Sequence, residues 1–331
     1  IDYLTDSPLP LTCIAYDPVT NKIYGLEDRS SPMNARLFSY NLFTDTWEEK
    51  STANIPIGNN GNAVIIDGFF YAGNVQDHLE IGRYDITNDN WISTITSPLP
   101  YSAGHMGSDG EYLYVGHEVS FWRYDPTLNN WTDLGSPGIY LEMGYAGMAY
   151  LNQWLYLATG DGFSNFARFN TNSGAWEILP NAPGGIVLGM DVDPEAEVVY
   201  CSGTYGQNNI YMYDIAENSW STASLPDFVF NDGGIVYGNS PVGMYVVEGE
   251  DGTNIARLNT NSFVPWLTLE NINGYITPDE MVYINVTFDA TDLIGDIYDY
   301  SANIVITSND PDPEDSEKTI PASLSIIEPA S

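Results

Sequence analysis

One pattern recurs five times along this chain and constrains the fold more than any other feature. Each copy has an aromatic residue, then Asp or Asn, then five further residues and a Trp. The copies begin at Tyr40, Tyr84, Tyr124, Phe169 and Tyr213 and end at Trp47, Trp91, Trp131, Trp176 and Trp220. The spacing inside a copy is fixed, whereas successive Trp residues lie 40 to 45 residues apart. Such a chain repeats one supersecondary unit with loop insertions.

Each repeat contains four short runs of β-branched and aromatic residues that are separated by turn residues, which predicts four β-strands. In the second repeat these are 61–66, 69–73, a run that ends at Tyr84-Asp85, and a run that starts at Trp91. The Asp or Asn is suited to open the third turn because its side chain can cap the local backbone. We expect the Trp to begin the fourth strand and to cover the seam with the neighbouring unit.

A sixth repeat is incomplete. Residues 234–237, 243–247 and 255–259 supply three strands, and the fourth must come from elsewhere. Residues 1–10 align without gaps on 91–100, and both segments end in Ser-Pro-Leu-Pro. A rival candidate for the fourth strand is 264–267. We favour the N-terminal segment, which would tie the two ends of a ring together.

The repeat resembles that of the kelch family, whose members are six-bladed β-propellers with four-stranded blades. The Tyr-Asp-x5-Trp core carries the resemblance, which covers residues 1–263. The glycine doublet usual in the second kelch strand is replaced, for example by Tyr71-Ala72-Gly73. The resemblance implies an all-β protein: a six-bladed kelch-like β-propeller at 1–263, closed by an N-terminal strand at 1–6 in the last blade.

The period ends after Asn261, and residues 264–331 form runs that predict a small C-terminal Ig-like β-sandwich. The strings 286–290 and 306–311 resemble the Ig-like (BACON-like) modules of bacterial secreted and surface proteins. About 70 residues is short for a sandwich of about 100. The module is therefore either a trimmed sandwich or one with an edge open to a strand from a partner.

Charge excludes two classes of partner. The chain has 45 acidic and 9 basic side chains, a net charge of −36, so it lacks the basic footprint that nucleic acids and anionic membrane surfaces require. No apolar run reaches the length of a membrane span. The first residue is Ile1, which we interpret as a processed or recombinant chain without its export signal. We expect an extracellular or cell-surface protein.

The sequence contains only weak indications of a catalytic site. The kelch resemblance admits copper oxidases, but the three histidines, His78, His105 and His117, come without the Tyr and Cys pattern of such a site. Four arginines occupy one repeated position, and we expect them to pair with carboxylates of their own blades: Arg83, Arg123, Arg168 and Arg257. The two cysteines, Cys13 and Cys201, are either buried thiols or one long-range disulfide.

Acidic loops and loop aromatics are the remaining candidates for binding. Calcium is the one cofactor with candidate ligands, at Asp161, Asn165, Glu250, Asp251, Asp310 and Asp312, although solvated turns are the alternative. Candidate ligand-binding aromatics on the faces of the ring are Tyr101, Tyr140, Phe163, Tyr205 and Phe228, with packing over the seams as the alternative.

The sequence therefore predicts a non-catalytic bacterial scaffold for adhesion, for binding of a glycan or protein at a propeller face, or for self-association through the edge of the Ig-like module. The alternative is an extracellular carbohydrate-active enzyme, a glycosidase or a copper-type oxidase, with acids at the mouth of the channel.

Overall fold

A computed structural model describes residues 1–27, 35–52, 62–73, 79–99, 105–141, 147–159, 164–203, 206–225, 228–231, 233–239, 241–249, 252–258, 267–270, 283, 285–288, 299–307 and 317–325. All the regular elements of these residues are β-strands. None of the described segments forms a helix that is long and apolar enough to cross a membrane. Contacts divide the chain into two units, Ile1–Thr260 and Asn261–Ser331, and each is described by itself.

The first unit contains six four-stranded antiparallel sheets, which form the six blades of a propeller. The chain opens with β1 (Asp2–Tyr3). Blade 1 follows with β2 (Leu11–Asp17), β3 (Lys22–Glu27), β4 (Leu37–Asn41) and β5 (Thr46–Glu49). Blade 2 has β6 (Ala63–Ile66), β7 (Phe69–Ala72), β8 (Glu80–Asp85) and β9 (Asn90–Thr96). Blade 3 has β10 (His105–Ser108), β11 (Leu113–His117), β12 (Ser120–Asp125) and β13 (Asn130–Asp133).

Blade 4 has β14 (Met148–Leu151), β15 (Trp154–Ala158), β16 (Phe166–Asn170) and β17 (Trp176–Leu179). Blade 5 has β18 (Ile186–Asp193), β19 (Val198–Gly203), β20 (Asn209–Asp214) and β21 (Ser219–Ser224). Blade 6 has β22 (Ile235–Asn239), β23 (Val242–Gly249) and β24 (Gly252–Leu258), with β1 as its fourth strand. The turns between strands 1 and 2, and in blades 1 to 5 also those between strands 3 and 4, lie at one end of the blades, the hairpin face. The other connections lie at the opposite end, the loop face.

The third turn of each repeat is held by the two polar residues of the motif. The Asp or Asn at the second motif position accepts main-chain N–H bonds, as Asp125 does from Thr127 and Leu128, both at 2.8 Å. Four residues later, a second Asp or Asn adopts a left-handed conformation and accepts the hydroxyl of the motif Tyr. The Tyr and Asx pairs are Tyr40 and Asp45, Tyr84 and Asp89, Tyr124 and Asn129, and Tyr213 and Asn218.

Blade 4 departs from this arrangement in a consistent way. Its motif begins with Phe169, which has no hydroxyl, and the left-handed position is held by Gly174 (φ 75°). Glycine adopts this conformation without the strain that a side chain meets. The lost hydrogen-bond donor and the lost acceptor therefore occur together.

The motif Trp residues join neighbouring blades, as expected. Trp47 of blade 1 donates its Nε1–H to the Thr5 carbonyl, which follows the fourth strand of blade 6, at 2.9 Å. Trp91, Trp131 and Trp220 donate to carbonyls of the preceding blades in the same way. Trp176 of blade 4 is the exception: its Nε1 is buried without a hydrogen-bond partner, and its ring packs edge-on against Phe121 of blade 3. The core consists of six clusters that lie largely in the seams between blades.

The ring is closed by the N-terminal segment. β1 pairs antiparallel with β24, Asp2 opposite Arg257 and Tyr3 opposite Ala256, and Leu4 N–H donates to the Ile255 carbonyl at 3.1 Å. This is the pairing that the alignment of residues 1–10 with 91–100 predicts. The rival segment does not take this place in the described sheet, although 264–266 lie outside the described residues.

Glycines allow the first strands of the blades to approach one another near the axis. A Cβ atom on Gly189 of blade 5 would lie 2.8 Å from the Ile235 nitrogen of blade 6. Gly107 of blade 3 lies directly against Met148 of blade 4. A larger residue at either position would have to push two blades apart.

The second unit contains two antiparallel strand pairs in the described residues: β25 (Leu267–Glu270) with β26 (Asn285–Phe288), and β27 (Asp299–Thr307) with β28 (Glu317–Ser325). The β27–β28 hairpin has nine paired positions. An Ig-like sandwich would need these pairs to stack as two sheets, and it stays a prediction.

Candidate functional site

An axial channel runs between the first strands of all six blades, with a volume of about 360 Å³. Each of these strands, β2, β6, β10, β14, β18 and β22, is the innermost edge of its sheet. An edge strand presents main-chain N–H and C=O groups that have no partner in the sheet. A ligand in the channel would therefore meet hydrogen-bonding groups from every blade.

The register of the blades defines two levels along the first strands, several of whose residues line the channel. The first, the small-residue level, is formed by the first-strand residues that pair with the recurrent Tyr of the second strand. Its members are Ala15, Val64, Gly107, Ala149, Asp191 and Val236. Five are small or apolar, as crowding near the axis requires, and Asp191 is the exception.

Asp191 is held by two main-chain donors. Its Oδ2 accepts the N–H of Tyr237 in blade 6 at 2.7 Å, and its Oδ1 accepts the N–H of Val192 at 2.8 Å. Burial raises the pKa of the Asp191 carboxyl to about 6, against the opposing effect of these two hydrogen bonds. Asp191 therefore connects the first strands of blades 5 and 6, and it is a partly exposed residue of the channel lining.

The next level toward the hairpin face is the tyrosine level: Tyr16, Ile65, Ser108, Tyr150, Val192 and Tyr237. Its three tyrosines all line the channel. The pKa of the Tyr237 hydroxyl is raised by burial and, next in size, by the charges of Asp193 and Glu195. This end of the channel is thus aromatic and electronegative.

A second candidate surface lies on the loop face of blade 3. Glu118 and Leu141 exchange two main-chain hydrogen bonds, of 2.7 and 2.8 Å. Leu141 is buried, whereas the neighbouring Tyr140 is 47% exposed and its hydroxyl donates to Glu118 Oε1 at 3.3 Å. Tyr140 therefore presents an aromatic ring beside a carboxylate, and its role in ligand binding stays a prediction.

Of the other candidate aromatic residues, one is buried and three lie outside the described residues. Phe228 is 1% exposed and packs edge-on against Phe230 with ring centroids 5.2 Å apart, so the expectation that it is exposed is wrong. It is buried because Phe230 pairs with Gln207 on the neighbouring loop and draws the segment into the core. Tyr101, Phe163 and Tyr205 lie outside the described residues.

Of the candidate calcium ligands, only Asn165 is described. Its main-chain carbonyl accepts the Thr159 N–H at 3.1 Å and stabilises the second-to-third-strand loop of blade 4. Asp161, Glu250, Asp251, Asp310 and Asp312 lie outside the described residues. Within the described part of the chain, no three His, Cys, Asp or Glu side chains form a group that could hold a metal ion. Calcium binding stays a prediction.

The two described histidines are both buried in blade 3. His105 is fully enclosed, and its Nε2 lies 3.2 Å from the Ala158 carbonyl of blade 4, so this nitrogen must carry the proton. Burial lowers the pKa of His105 to about 4. Its Nδ1 is buried without a hydrogen-bond partner. Neutral His105 therefore spans the seam between blades 3 and 4.

The repeated arginines support the blades, and among the residues that the structure describes two of them form the expected ion pairs. Arg168 binds Glu177, with Nη2 and Oε2 2.6 Å apart, and Arg257 binds Asp2. The other two stack on aromatic rings: the Arg83 guanidinium lies 3.9 Å from the Phe69 ring centroid and that of Arg123 lies 4.3 Å from the Tyr112 centroid. Arg168 also stacks on Trp154, at 4.1 Å. These cation–π contacts are consistent with a structural role.

Cys13 and Cys201 are free, buried thiols, so the long-range disulfide is not formed. Cys13 packs in the seam between blades 1 and 2 and Cys201 in the seam between blades 4 and 5. Burial raises the pKa of the Cys201 thiol, which disfavours a reactive thiolate.

Sequence reasoning missed the channel-wall residues Asp191, Tyr16, Tyr150 and Tyr237, and also Glu118. The sequence alone carries no clear signal for Asp191, because the equivalent residue precedes the second-strand Tyr by nine positions in blades 1, 5 and 6 and by seven in blades 2, 3 and 4.

Comparisons with known proteins agree with the fold. No protein-family model matches the sequence. The chain is 22% identical over 176 residues to the Kelch-like protein terF of Aspergillus terreus; the match covers 44% of this chain and 38% of that protein. The chain thus spans about two fifths of the length of this relative.

Among solved structures, the structure of YjhT is similar, with a TM-score of 0.60 and 13% sequence identity. The similarity covers 86% of this chain and 99% of YjhT. At this level of identity the likeness shows the fold. The first unit of this chain is a six-bladed β-propeller with kelch-like repeats.

Proposed function

We propose that this chain is a non-catalytic bacterial scaffold, secreted or held at the cell surface, that recognises a glycan or a protein on the loop face of its propeller. A kelch-like propeller is a fold suited to such a role, because its rigid blades hold variable loops on one face. The observation that carries the proposal is the pair formed by Tyr140 and Glu118.

The geometry of this pair suits recognition. Tyr140 exposes about half of its surface, while the main-chain bonds between Glu118 and Leu141 fix its position. A tyrosine ring offers a large apolar surface and a polar tip at little cost in conformational entropy. A sugar ring could stack on Tyr140 while its hydroxyls donate to the Glu118 carboxylate.

Other carboxylates of the propeller are engaged in the fold. Asp17, Asp109, Asp125, Asp193 and Asp214 each accept main-chain N–H groups in turns of the hairpin face. These five of the 45 acidic side chains therefore have a role in turn structure. The high net charge also supports an exported scaffold, for which it maintains solubility.

The second unit supports an additional role in assembly. A two-stranded hairpin is marginally stable alone in water, and the β27–β28 hairpin exposes Ile306 (38%) and Ile320 (47%). Completion of an Ig-like sandwich within the chain, or addition of a strand from another molecule, would cover such residues. Calcium bound at Asp310 and Asp312 would stabilise this unit.

One observation favours a second candidate, a carbohydrate-active enzyme. A general acid needs a pKa near the working pH, and burial raises the pKa of Asp191 to about 6 beside a ligand-sized channel. Hydrolysis of oligosaccharides by the wild-type protein, abolished in Asp191→Asn, would establish this function in place of the scaffold.

The test of the scaffold is binding of labelled protein to an array of glycans, with Tyr140→Ala as the test variant. Phe43→Ala is the matched control, because Phe43 is also an exposed aromatic (69%) but lies in a turn on the hairpin face. We expect Tyr140→Ala to weaken binding at least tenfold and Phe43→Ala to leave it unchanged. Equal binding by both variants, or no binding by the wild type to glycans and to candidate surface proteins, would overturn the proposal.

A further inference from the structure

The axial channel has three features that the repeated structure of the blades does not explain. It has a volume of about 360 Å³, which falls in the range of small-molecule sites. Its wall contains the carboxyl group of Asp191 at a level where five blades have Ala, Val or Gly. Three tyrosines, Tyr16, Tyr150 and Tyr237, line it one residue nearer to the hairpin face, and Tyr237, which is 9% exposed, also packs in the seam between blades 5 and 6.

The charged residues of the channel wall favour a positively charged ligand. Of the described residues that line it, none is Lys or Arg, whereas Asp109 and Asp191 both contribute to the wall. Asp109 is already used: it accepts the N–H of Tyr112 at 2.8 Å and the hydroxyl of Tyr114 at 2.7 Å. Asp191 accepts only main-chain N–H groups, and its two oxygens retain further lone pairs.

A carboxylate withdrawn from water gains most from a cationic partner, because burial penalises its charged form and a nearby positive charge relieves that penalty. Aromatic rings add to this preference, since an ammonium group is attracted to the face of a tyrosine. Neutral sugars and anions would not relieve the penalty on Asp191.

We propose that the axial channel binds a small polar ligand that carries a primary ammonium group, with Asp191 as its counter-ion and Tyr16, Tyr150 and Tyr237 as its aromatic wall. The inference goes beyond the proposed function, because the channel is a site with its own ligand class, separate from Tyr140 on the loop face.

The competing explanation is that Asp191 serves only as a connection between blades 5 and 6. An Asp191→Asn variant separates the two roles. Its side-chain carbonyl can still accept the Tyr237 N–H, so the connection between the blades is kept, while the charge and the hydrogen bond from the Val192 N–H are lost. The shape of the side chain is almost unchanged, so the ring should remain folded.

The experiment measures binding of glucosamine, ethanolamine and glucose to the full chain by calorimetry in 0.5 M NaCl, where the general attraction of a protein of charge −36 for cations is screened. Asp109→Asn is the matched control, because it removes one charge from the same wall. We expect an amine to bind at least tenfold more tightly than glucose, with the advantage lost in Asp191→Asn and kept in Asp109→Asn.

A second readout reports the site directly. Ammonium binding should lower the pKa of Asp191, which the carboxyl carbon signal in an NMR titration would show. Absence of binding by both amines, equal affinity for glucose, or an unchanged affinity in Asp191→Asn would overturn the channel proposal. The Tyr140→Ala result is independent of these outcomes, so failure of the loop-face function and failure of the channel site can be told apart.

Discussion

Arg257 and Asp2, 255 residues apart in sequence, form an ion pair across blade 6. The Arg257 side chain is 4% exposed and that of Asp2 is 48% exposed. The pair lies where β1 meets β24, at the same blade position at which Arg168 binds Glu177 in blade 4. The ends of the ring are therefore joined by the same cross-strand contact that stabilises a blade formed from continuous chain.

Breaking this pair should destabilise the propeller. We expect Asp2→Ala to lower the free energy of unfolding by about 1–3 kcal/mol, because the Arg257 guanidinium is left buried without its counter-ion. Deletion of residues 1–6 should cost more, since it also removes main-chain pairing with β24. Thermal unfolding measures both, with the exposed Asp6→Ala as control. Melting temperatures equal to that of the wild type would show that β1 does not close the ring.

A second prediction concerns an unsatisfied carboxylate oxygen. In blade 1, Thr20 donates its hydroxyl to Asp17 Oδ2 at 2.5 Å. In blade 5 the equivalent of Thr20 is Ala196, and the buried Asp193 Oδ2 has no hydrogen-bond partner. Ala196→Thr should therefore stabilise the protein by about 1 kcal/mol. Urea unfolding would check this, with Thr20→Ala expected to have the opposite effect; a destabilised Ala196→Thr would contradict the explanation.

A third prediction concerns the exceptional motif of blade 4. Phe169→Tyr alone should destabilise the protein by about 1–2 kcal/mol, because its hydroxyl would be buried without an acceptor. Adding Gly174→Asn should restore part of this loss by supplying the acceptor that the other blades have. A double-mutant cycle measures the coupling, which we expect to be favourable by about 1 kcal/mol. If the effects of the two substitutions on stability are simply additive, the proposed hydrogen bond between the motif Tyr and the Asp or Asn of the turn is contradicted.

His105 should make the propeller sensitive to acid. Its pKa is lowered by burial from 6.5 to about 4, so the unfolded chain binds this proton more readily than the folded protein. The folded state therefore loses stability as the pH falls from 6.5 toward 4, by about 3 kcal/mol in total. Urea unfolding across this range should show the loss in the wild type and less of it in His105→Gln. An equal loss of stability in the wild type and in His105→Gln would refute the assignment of this acid sensitivity to His105.

Asp191 should give the stability of the protein the opposite pH dependence. Burial raises its pKa from 3.8 to about 6, so its contribution to stability is present below pH 3.8 and is lost as the pH rises through 6. Relative to Asp191→Asn, the wild type should lose about 2–3 kcal/mol between pH 4 and pH 7. The same unfolding series tests this, and a difference between the two proteins that does not change with pH would contradict it.

The repeats could be predicted from the sequence because each depends on local chemistry. The turn-capping Asp or Asn and the motif Trp lie within eight residues of one another, so their spacing is visible in one dimension. The closing strand could also be predicted, because residues 1–10 retain the pattern of the fourth strand and the following loop.

The site was less predictable because it depends on contacts between blades. Phe228 follows a fourth strand and looks like an exposed loop aromatic, yet the pairing of Phe230 with Gln207 buries it. Asp191 stands out only when the register of all six blades is known. Arg83 and Arg123 were expected beside carboxylates, but nearby aromatic rings in their own blades take that place.

The most direct test of the scaffold function combines binding and chemistry in one sample. A glycan that the wild-type protein retains on the array would be incubated with the protein for many hours, released and analysed by mass spectrometry. The account predicts that it is recovered with its mass unchanged, and that Tyr140→Ala no longer retains it. A cleaved or oxidised glycan would contradict the account and establish an enzyme.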